Sequence, residues 1–418
     1  MTNRPASDVL ILGGGVIGLA CAVSLLDAGR SVTVLEQGTA GCAASHGNCG
    51  TLTPSHSAPL ATPDALRHAI GWLFKADAPL RIRLRPDPAL LRWLLGFASN
   101  CTWSTAVRAA DAKAPLLVRS RALIEDLIRR ENLDCEFAAT GTLNVYRDAA
   151  GFERAQSMLG RFAEVGIPVE TLDAATTLAR EPALKPGVAG AFFHPGDAQL
   201  RPDRYVAELA RLVRAKGGVI EEGTCVGAIV REGTRIARVA TDRGDFSGRE
   251  VVIALGAWTP QFARALDLRI PIQPGKGYSI TYTRPSECPC LPMTLKEPSV
   301  CVTAWKSGYR LGSTMEFAGY DRTLNRTRLD ALRRGAALFL REPEGPAVVE
   351  EWYGWRPMTP DDLPMLGRVP RTDNLVMASG HGMLGVTMSA VTGLLVREVI
   401  TGRPTSFDLA PFSVARFG

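Results

Sequence analysis

Residues 8–12, four consecutive apolar residues after Asp8, have the pattern of a parallel strand covered on both faces. The run passes straight into Gly13-Gly14-Gly15-Val16-Ile17-Gly18, after which residues 19–28 carry helical apolar spacing that stops at Gly29. A second apolar run, 31–35, ends at Glu36. The same grammar returns near the C-terminus: an apolar run to Ser379, the glycine turn Gly380-His381-Gly382-Met383-Leu384-Gly385, then helical spacing over 387–400. Between these ends, 224–230 and 236–241 alternate as a hairpin, 250–255 reads as another buried strand, and Pro202 opens a helix reaching 216.

The rest of the chain has a different grain. Residues 115–130 have helical periodicity, whereas 141–146, 279–283, 300–304 and 309–313 alternate with period two, as strands of an antiparallel sheet do. The pattern therefore predicts an α/β fold. A discontinuous Rossmann-type domain (1–61, 192–260 and 350–418) carries an inserted α+β unit (62–191 and 261–349) that covers its ligand.

Composition narrows the class. The 418 residues are 46% hydrophobic and 22% charged, which excludes a disordered chain. The surplus of 48 basic over 42 acidic side chains is spread without a basic block, so no nucleic-acid partner is expected. Nine cysteines at irregular spacing read as reduced thiols in a cytoplasmic protein, and Cys288 with Cys290 are too isolated to supply four zinc ligands. No metal is expected. The apolar stretch 9–26 is broken by glycines and has neither a basic leader nor a cleavage motif, so it reads as strand, turn and helix rather than a signal peptide.

The chemistry starts in the first turn. Gly13, Gly15 and Gly18 satisfy G-x-G-x-x-G, in which the glycines serve the tight turn, the approach of backbone amides to a pyrophosphate and the packing of helix on strand. Glu36, at the end of the next strand, suits a ribose diol, which favours FAD or NAD over NADP. After Glu36 and Gln37 the chain does not continue the alternation; it enters the small-residue loop 41–50, which presents backbone to a planar ring or to phosphates. The late helix after Gly385 offers its N-terminal amides to an electron-rich group, as a reduced flavin is at its pyrimidine end. FAD is the better fit.

On residues 13–18 with Glu36, Ser45-His46-Gly47-Asn48-Cys49-Gly50, Pro274-Gly275-Lys276-Gly277-Tyr278-Ser279, residues 354–361 and residues 380–387, the chain resembles the D-amino acid oxidase-like FAD-dependent oxidoreductases. The likeness is strongest to the bacterial D-amino acid dehydrogenases. It implies a glutathione-reductase-like FAD domain and oxidative deamination by hydride transfer from the substrate alpha carbon to flavin. It also implies a quinone or other electron carrier as acceptor, and D-amino acids as substrates, D-proline or hydroxy-D-proline among them.

The resemblance further implies site residues. Arg356 would hold the substrate carboxylate, with Tyr278 and His46 as further catalytic candidates. Gly13, Gly15, Val16, Ile17, Gly18, Glu36, Gln37, Ser45, His46, Gly47, Asn48, Val226, Gly256, His381, Gly382, Met383, Leu384, Gly385, Val386 and Thr387 would contact the cofactor. Each has a plainer reading beside it. Arg356 could pair Asp361 or Asp362, Tyr278 could be a satisfied strand tyrosine, and His46 and His381 could only fix backbone. No tyrosine occurs over 296–302, where the eukaryotic oxidases place theirs, and no cysteine follows Cys301, so the FAD is expected to be non-covalent. Two rivals stand beside the dehydrogenase: a glycine- or sarcosine-type oxidase using oxygen, and a non-catalytic flavin subunit of an amine-oxidising complex.

Residues 65–103 mix Trp72, Leu73, Phe74, Leu90, Leu91, Trp93 and Leu95 with Arg67, Lys75, Arg81, Arg83, Arg85 and Arg92. They form either a peripheral contact with the inner face of the membrane or a helical hairpin whose apolar stripe packs inward. Pro79, Pro86 and Pro88 break the segment too often for it to span a bilayer.

Overall fold

The strand Ser7–Leu12 lies between Val32–Leu35 and Gly248–Ile253, parallel to both. In the computed structural model, which describes residues 7–63, 80–83, 86–157, 159–160 and 164–418, these strands belong to a six-stranded sheet. Its order runs Met365–Arg368, Leu375–Ser379, Gly248–Ile253, Ser7–Leu12, Val32–Leu35, Val219–Glu221, and only the first of these is antiparallel to its neighbour. Val9, Leu10, Ile11 and Leu12 are fully buried, because helices and a small hairpin layer cover the two faces.

Two helices leave this sheet and pack together. Val16–Leu26 follows the first strand, and Gly385–Ile400 follows Leu375–Ser379. Their contact is close because position 393 is glycine: a Cβ there would lie 2.6 Å from the Ala20 carbonyl oxygen. The helix opened by Pro202 runs Pro202–Ala215, and the hairpin is Val226–Glu232 with Arg235–Thr241.

A nine-stranded sheet stands over the first. Its longest members are Val348–Met358, Gln273–Tyr282 and Gly308–Phe317, side by side and antiparallel, and Val300–Trp305 follows. The sheet is mixed rather than purely antiparallel. Met293–Leu295 runs parallel to Thr142–Tyr146, and Leu80–Ile82 parallel to Gly308–Phe317. Period-two alternation explains its two faces. Tyr278, Ile280, Tyr282, Val300 and Val302 meet Leu329, Leu332, Ala336 and Phe339 of the helix Arg326–Phe339. The register row Trp352, Ser279, Gly312, Cys301, Thr294 and Asn144 lies on the other face. Val348–Met358 thus sits in the larger sheet, and a division of the chain at residue 350 cuts that strand.

One long helix, Trp103–Glu131, replaces the shorter one expected over 115–130. Thr102 caps it by accepting the Thr105 amide, and Pro115 is carried inside it. Of the 65–103 stretch, residues 65–79 with Trp72, Leu73 and Phe74, and residues 84–85, lie outside the described residues. The described helix Pro88–Asn100 turns Leu90 and Trp93 inward, and the Trp93 indole donates to the Met358 carbonyl at 2.8 Å. Leu91 and Leu95 point outward, at 59% and 63% exposure. No helix among the described residues is long and apolar enough to cross a membrane.

Candidate active site

The N-termini of Val16–Leu26 and Gly385–Ile400 face one cleft, bounded on its far side by the edge of the nine-stranded sheet. The glycine turn shapes its floor. Gly13 takes a left-handed backbone (φ +106°), and a Cβ there would lie 2.5 Å from the Ala254 carbonyl oxygen. At Gly18 a Cβ would lie 1.9 Å from the Gly13 oxygen, so the helix sits directly on the turn. Gly15 is the opposite case. A Cβ there would meet only Ser45 Oγ, at 3.6 Å, so the backbone is bared to the cleft as a phosphate cradle requires. Glu36 accepts from the Gly14 amide at 2.8 Å and from the Gly38 amide at 2.9 Å, which places its carboxylate at the cleft wall beside Gln37, Val226 and Gly256.

The loop 43–49 forms the next wall. Ser45 Oγ accepts from the Val16 amide at 3.1 Å, and Gly47 and Asn48 line the cleft. A buried arginine that sequence reading passed over, Arg310, holds this loop. Its Nη1 donates to the carbonyls of His46 (3.1 Å) and Asn48 (2.7 Å), while its Nε donates to Thr281 Oγ1 (2.8 Å). The available signal was an arginine on the strand face shared with Ser279 and Thr281, where an apolar residue would leave the loop carbonyls without a donor.

The histidine and tyrosine candidates divide between the cleft and protein partners. His46 does not line the cleft; its Nε2 lies 2.8 Å from Glu350 Oε1, and that bond raises its pKa. His381 lines the cleft, but its Nε2 is bonded to Thr392 Oγ1 at 3.0 Å, and burial lowers its pKa to about 3, so the imidazole is neutral. Tyr278 is buried at the cleft edge, and its hydroxyl donates to Glu316 at 2.7 Å. Gly382, Met383, Gly385 and Val386 line the cleft. Gly18, Leu384 and Thr387 stand behind it: Leu384 precedes the helix as its N-cap, and Thr387 Oγ1 donates to the Thr51 carbonyl at 3.3 Å.

Arg356 reaches the cleft from the sheet edge. Its guanidinium lies flat across Gly277, where a Cβ would be 2.5 Å from Cζ. Its Nη1 donates to the Thr314 carbonyl at 3.0 Å. That carbonyl follows Ser313, the extra residue of a β-bulge opposite Tyr278 and Ser279, held at φ +104° and itself lining the cleft. The pairing of Arg356 with Asp361 or Asp362 does not occur. Asp361 is bonded to Arg416 at 2.7 Å, and Asp362 to the buried Lys113 at 2.7 Å. Among the described residues Arg356 forms no ion pair with a carboxylate.

The sequence family described as FAD dependent oxidoreductase matches residues 8–399. The chain belongs to that family. It is 35% identical to a D-amino acid dehydrogenase of Paramagnetospirillum magneticum, over 98% of each chain, and 33% identical to one of Rhizorhabdus wittichii, over 98% of this chain and all of the relative. Among solved structures, glycine oxidase of Geobacillus kaustophilus superposes with a TM-score of 0.81 at 26% identity, over 99% of both chains. L-proline dehydrogenase of P. horikoshii shares the fold, with a TM-score of 0.74 at 19% identity over 99% and 98% of the two chains.

As an FAD-dependent oxidoreductase the chain offers what that cofactor needs: a bared backbone at Gly15, a carboxylate at Glu36 and two helix N-termini on one cleft.

Proposed function

We propose that this chain oxidises D-amino acids, with Arg356 anchoring the substrate carboxylate. The observation that carries this reading is a guanidinium exposed to the FAD cleft without a carboxylate partner among the described residues, while both neighbouring aspartates are engaged by other cations. A planar fork receives a carboxylate through two parallel hydrogen bonds, which fixes the substrate's orientation as well as its position. Gly277 and the Thr314 carbonyl hold the plane of the fork. The names of the curated relatives support the D-amino acid class.

FAD, when bound, supplies the hydride acceptor for the substrate alpha carbon. The chain's own residues supply orientation and a dry wall. Trp258 and Trp355 line the cleft, packed edge to face at 5.6 Å, and Trp355 is fixed by donating to the Gly319 carbonyl at 3.0 Å. Tyr278 and His381 are committed to protein partners and His46 lies outside the cleft, and no strong general base is required if the substrate amine binds deprotonated. Positioning then carries most of the acceleration. The released imino acid, where it is not cyclic, is hydrolysed by water to a 2-oxo acid, and the electrons leave to a quinone or another carrier. The FAD is held without a covalent bond.

In this reading the segments around the six-stranded sheet hold FAD, and the nine-stranded sheet with its helices forms the substrate cover. The outward Leu91 and Leu95, with Trp103 at 48% exposure, form the peripheral surface through which the enzyme meets the inner face of the membrane. A second reading, a glycine- or secondary-amine oxidase, rests on the likeness to glycine oxidase.

Anaerobic mixing of the yellow protein with D-amino acids, glycine and sarcosine separates the two readings by which donor bleaches the flavin. Turnover with a quinone but without peroxide release supports the dehydrogenase. Arg356→Leu should keep its flavin and lose reduction by substrate; unchanged substrate affinity in that variant would overturn the anchor.

A further inference from the structure

Two cysteines meet beside the substrate anchor, and the reaction described above uses neither. Cys49 lines the cleft at the end of the loop that Arg310 holds. Its sulfur lies against Gly312, where a Cβ would be only 2.6 Å away. Gly312 is in turn the cross-strand register partner of Cys301. The missing side chain at 312 leaves the space that the Cys49 sulfur occupies, beside the neighbouring-strand position of Cys301. Cys301 is buried, so Cys49 is the member a solute in the cleft reaches first.

Charge favours Cys49 as the reactive partner. The neighbouring Cys301 thiol, with the nearby Arg356 and Arg310 cations, lowers its pKa despite burial, while the Cys301 thiol is pushed up.

We propose that Cys49 and Cys301 are a redox modification site at the substrate anchor, closed to a disulfide by hydrogen peroxide. The Cys49 sulfur attacks one peroxide oxygen, the O–O bond breaks, and hydroxide leaves with Cys49 as a sulfenic acid. The Cys301 sulfur then attacks the Cys49 sulfur, the S–O bond breaks and water leaves. The two thiols lose two electrons and two protons, and one peroxide becomes two waters. To bond, the sulfurs must close to about 2.0 Å, which draws the loop carrying Ser45, Gly47 and Asn48 toward the sheet. The bond would shift the cofactor wall against Arg356 and slow reduction by substrate without releasing FAD.

The test uses the flavin-loaded full chain, treated with peroxide, blocked with an alkylating agent and mapped as non-reduced peptides. A peptide linking Cys49 to Cys301 is expected, with flavin absorbance retained. Anaerobic reduction by substrate should slow on the order of a hundredfold, the cost of an ångström-scale misplacement, and recover with dithiothreitol. Both cysteines recovered as alkylated thiols would overturn the proposal, as would a disulfide confined to the exposed Cys42, Cys225 or Cys290. Cys301→Ser should convert reversible inhibition by prolonged peroxide into irreversible loss, because Cys49 then proceeds to the sulfinic acid. Full recovery of that variant with dithiothreitol would remove Cys301 from the scheme. The peptide map needs no substrate, so it stands or falls separately from the D-amino acid assignment.

Discussion

Gly277→Ala isolates the proposed substrate anchor, Arg356, from the fold that carries it. Gly277 does not use a left-handed backbone, so alanine is allowed there, and a strand alanine is favoured over glycine by about 0.5–1 kcal/mol. The new methyl would nevertheless stand 2.5 Å from Arg356 Cζ and 2.6 Å from both terminal nitrogens. Carbon contacts settle at about 3.5 Å or more, so the guanidinium must lift by roughly 1 Å. The bond from Nη1 to the Thr314 carbonyl is 3.0 Å long and does not survive that lift. Either the fork keeps the carbonyl and tilts from the substrate, or it follows the substrate and loses the carbonyl. Each course forfeits one charge-assisted hydrogen bond, about 1.5–3 kcal/mol, which is about 10- to 100-fold in affinity. Thermal unfolding of the variant should be unchanged or slightly higher, and its flavin content full. Anaerobic stopped-flow reduction across D-amino acid concentrations should show the dissociation constant raised by that factor. A variant that binds substrate as the parent does would refute the placement of the carboxylate on Arg356.

Three further outcomes follow from other parts of the structure. Gly18→Ala would force a methyl to within 1.9 Å of the Gly13 carbonyl, so the purified variant should fold around its other contacts but lose flavin absorbance. Lys113→Met would leave the largely buried Asp362 carboxylate without its cation, lowering unfolding free energy in urea by about 3–5 kcal/mol; Lys113→Met with Asp362→Asn should recover much of that loss. The His46–Glu350 pair sets a pH window. His46 has its pKa raised by Glu350, so its stabilisation is complete below its ordinary 6.5 and is lost as pH climbs through the raised value; Glu350 is lowered by His46 and fails only as pH falls through its own lowered value. Melting temperature measured against pH should therefore decline above about 6.5 in the parent, a decline absent from Glu350→Gln.

The cofactor half of the cleft was legible because backbone does its work. An amide that must approach a phosphate forbids a side chain, so the need appears in the sequence as glycine at fixed spacing, and residues 13, 15 and 18 sit as that spacing requires. The late glycine turn was readable for the same reason, since Gly380 and Gly382 hold left-handed backbones. The substrate half depends on contacts between distant strands. Nothing near Gly277 announces that Arg356 lies across it, because the two meet only through the antiparallel register of Gln273–Tyr282 with Val348–Met358. The bulge at Ser313 was hidden by the alternation around it, which an inserted residue shifts without breaking locally. His46 stayed ambiguous for a related reason. Its glycine-rich surroundings belong to the cleft, but its side chain faces Glu350 on the sheet.

One strand connects the two halves. Gly308–Phe317 supplies Arg310, which holds the carbonyls of the cofactor loop, and Thr314, whose carbonyl holds Arg356. The two positions are four residues apart, about 13 Å along an extended chain. They are the fixed points from which the cofactor wall and the proposed substrate fork are both set. The bulge lies between them, so Ser313 determines which way Thr314 faces while leaving Arg310 in register with Thr281 and Thr303. A hydride donor must be held to a fraction of an ångström from its acceptor. Building both supports on a single buried strand meets that demand, because any drift of the sheet against the FAD-binding helices moves loop and fork together. The same economy explains why Cys49 is a sensitive point: it is the loop residue that rests directly on this strand, at Gly312, between the two supports.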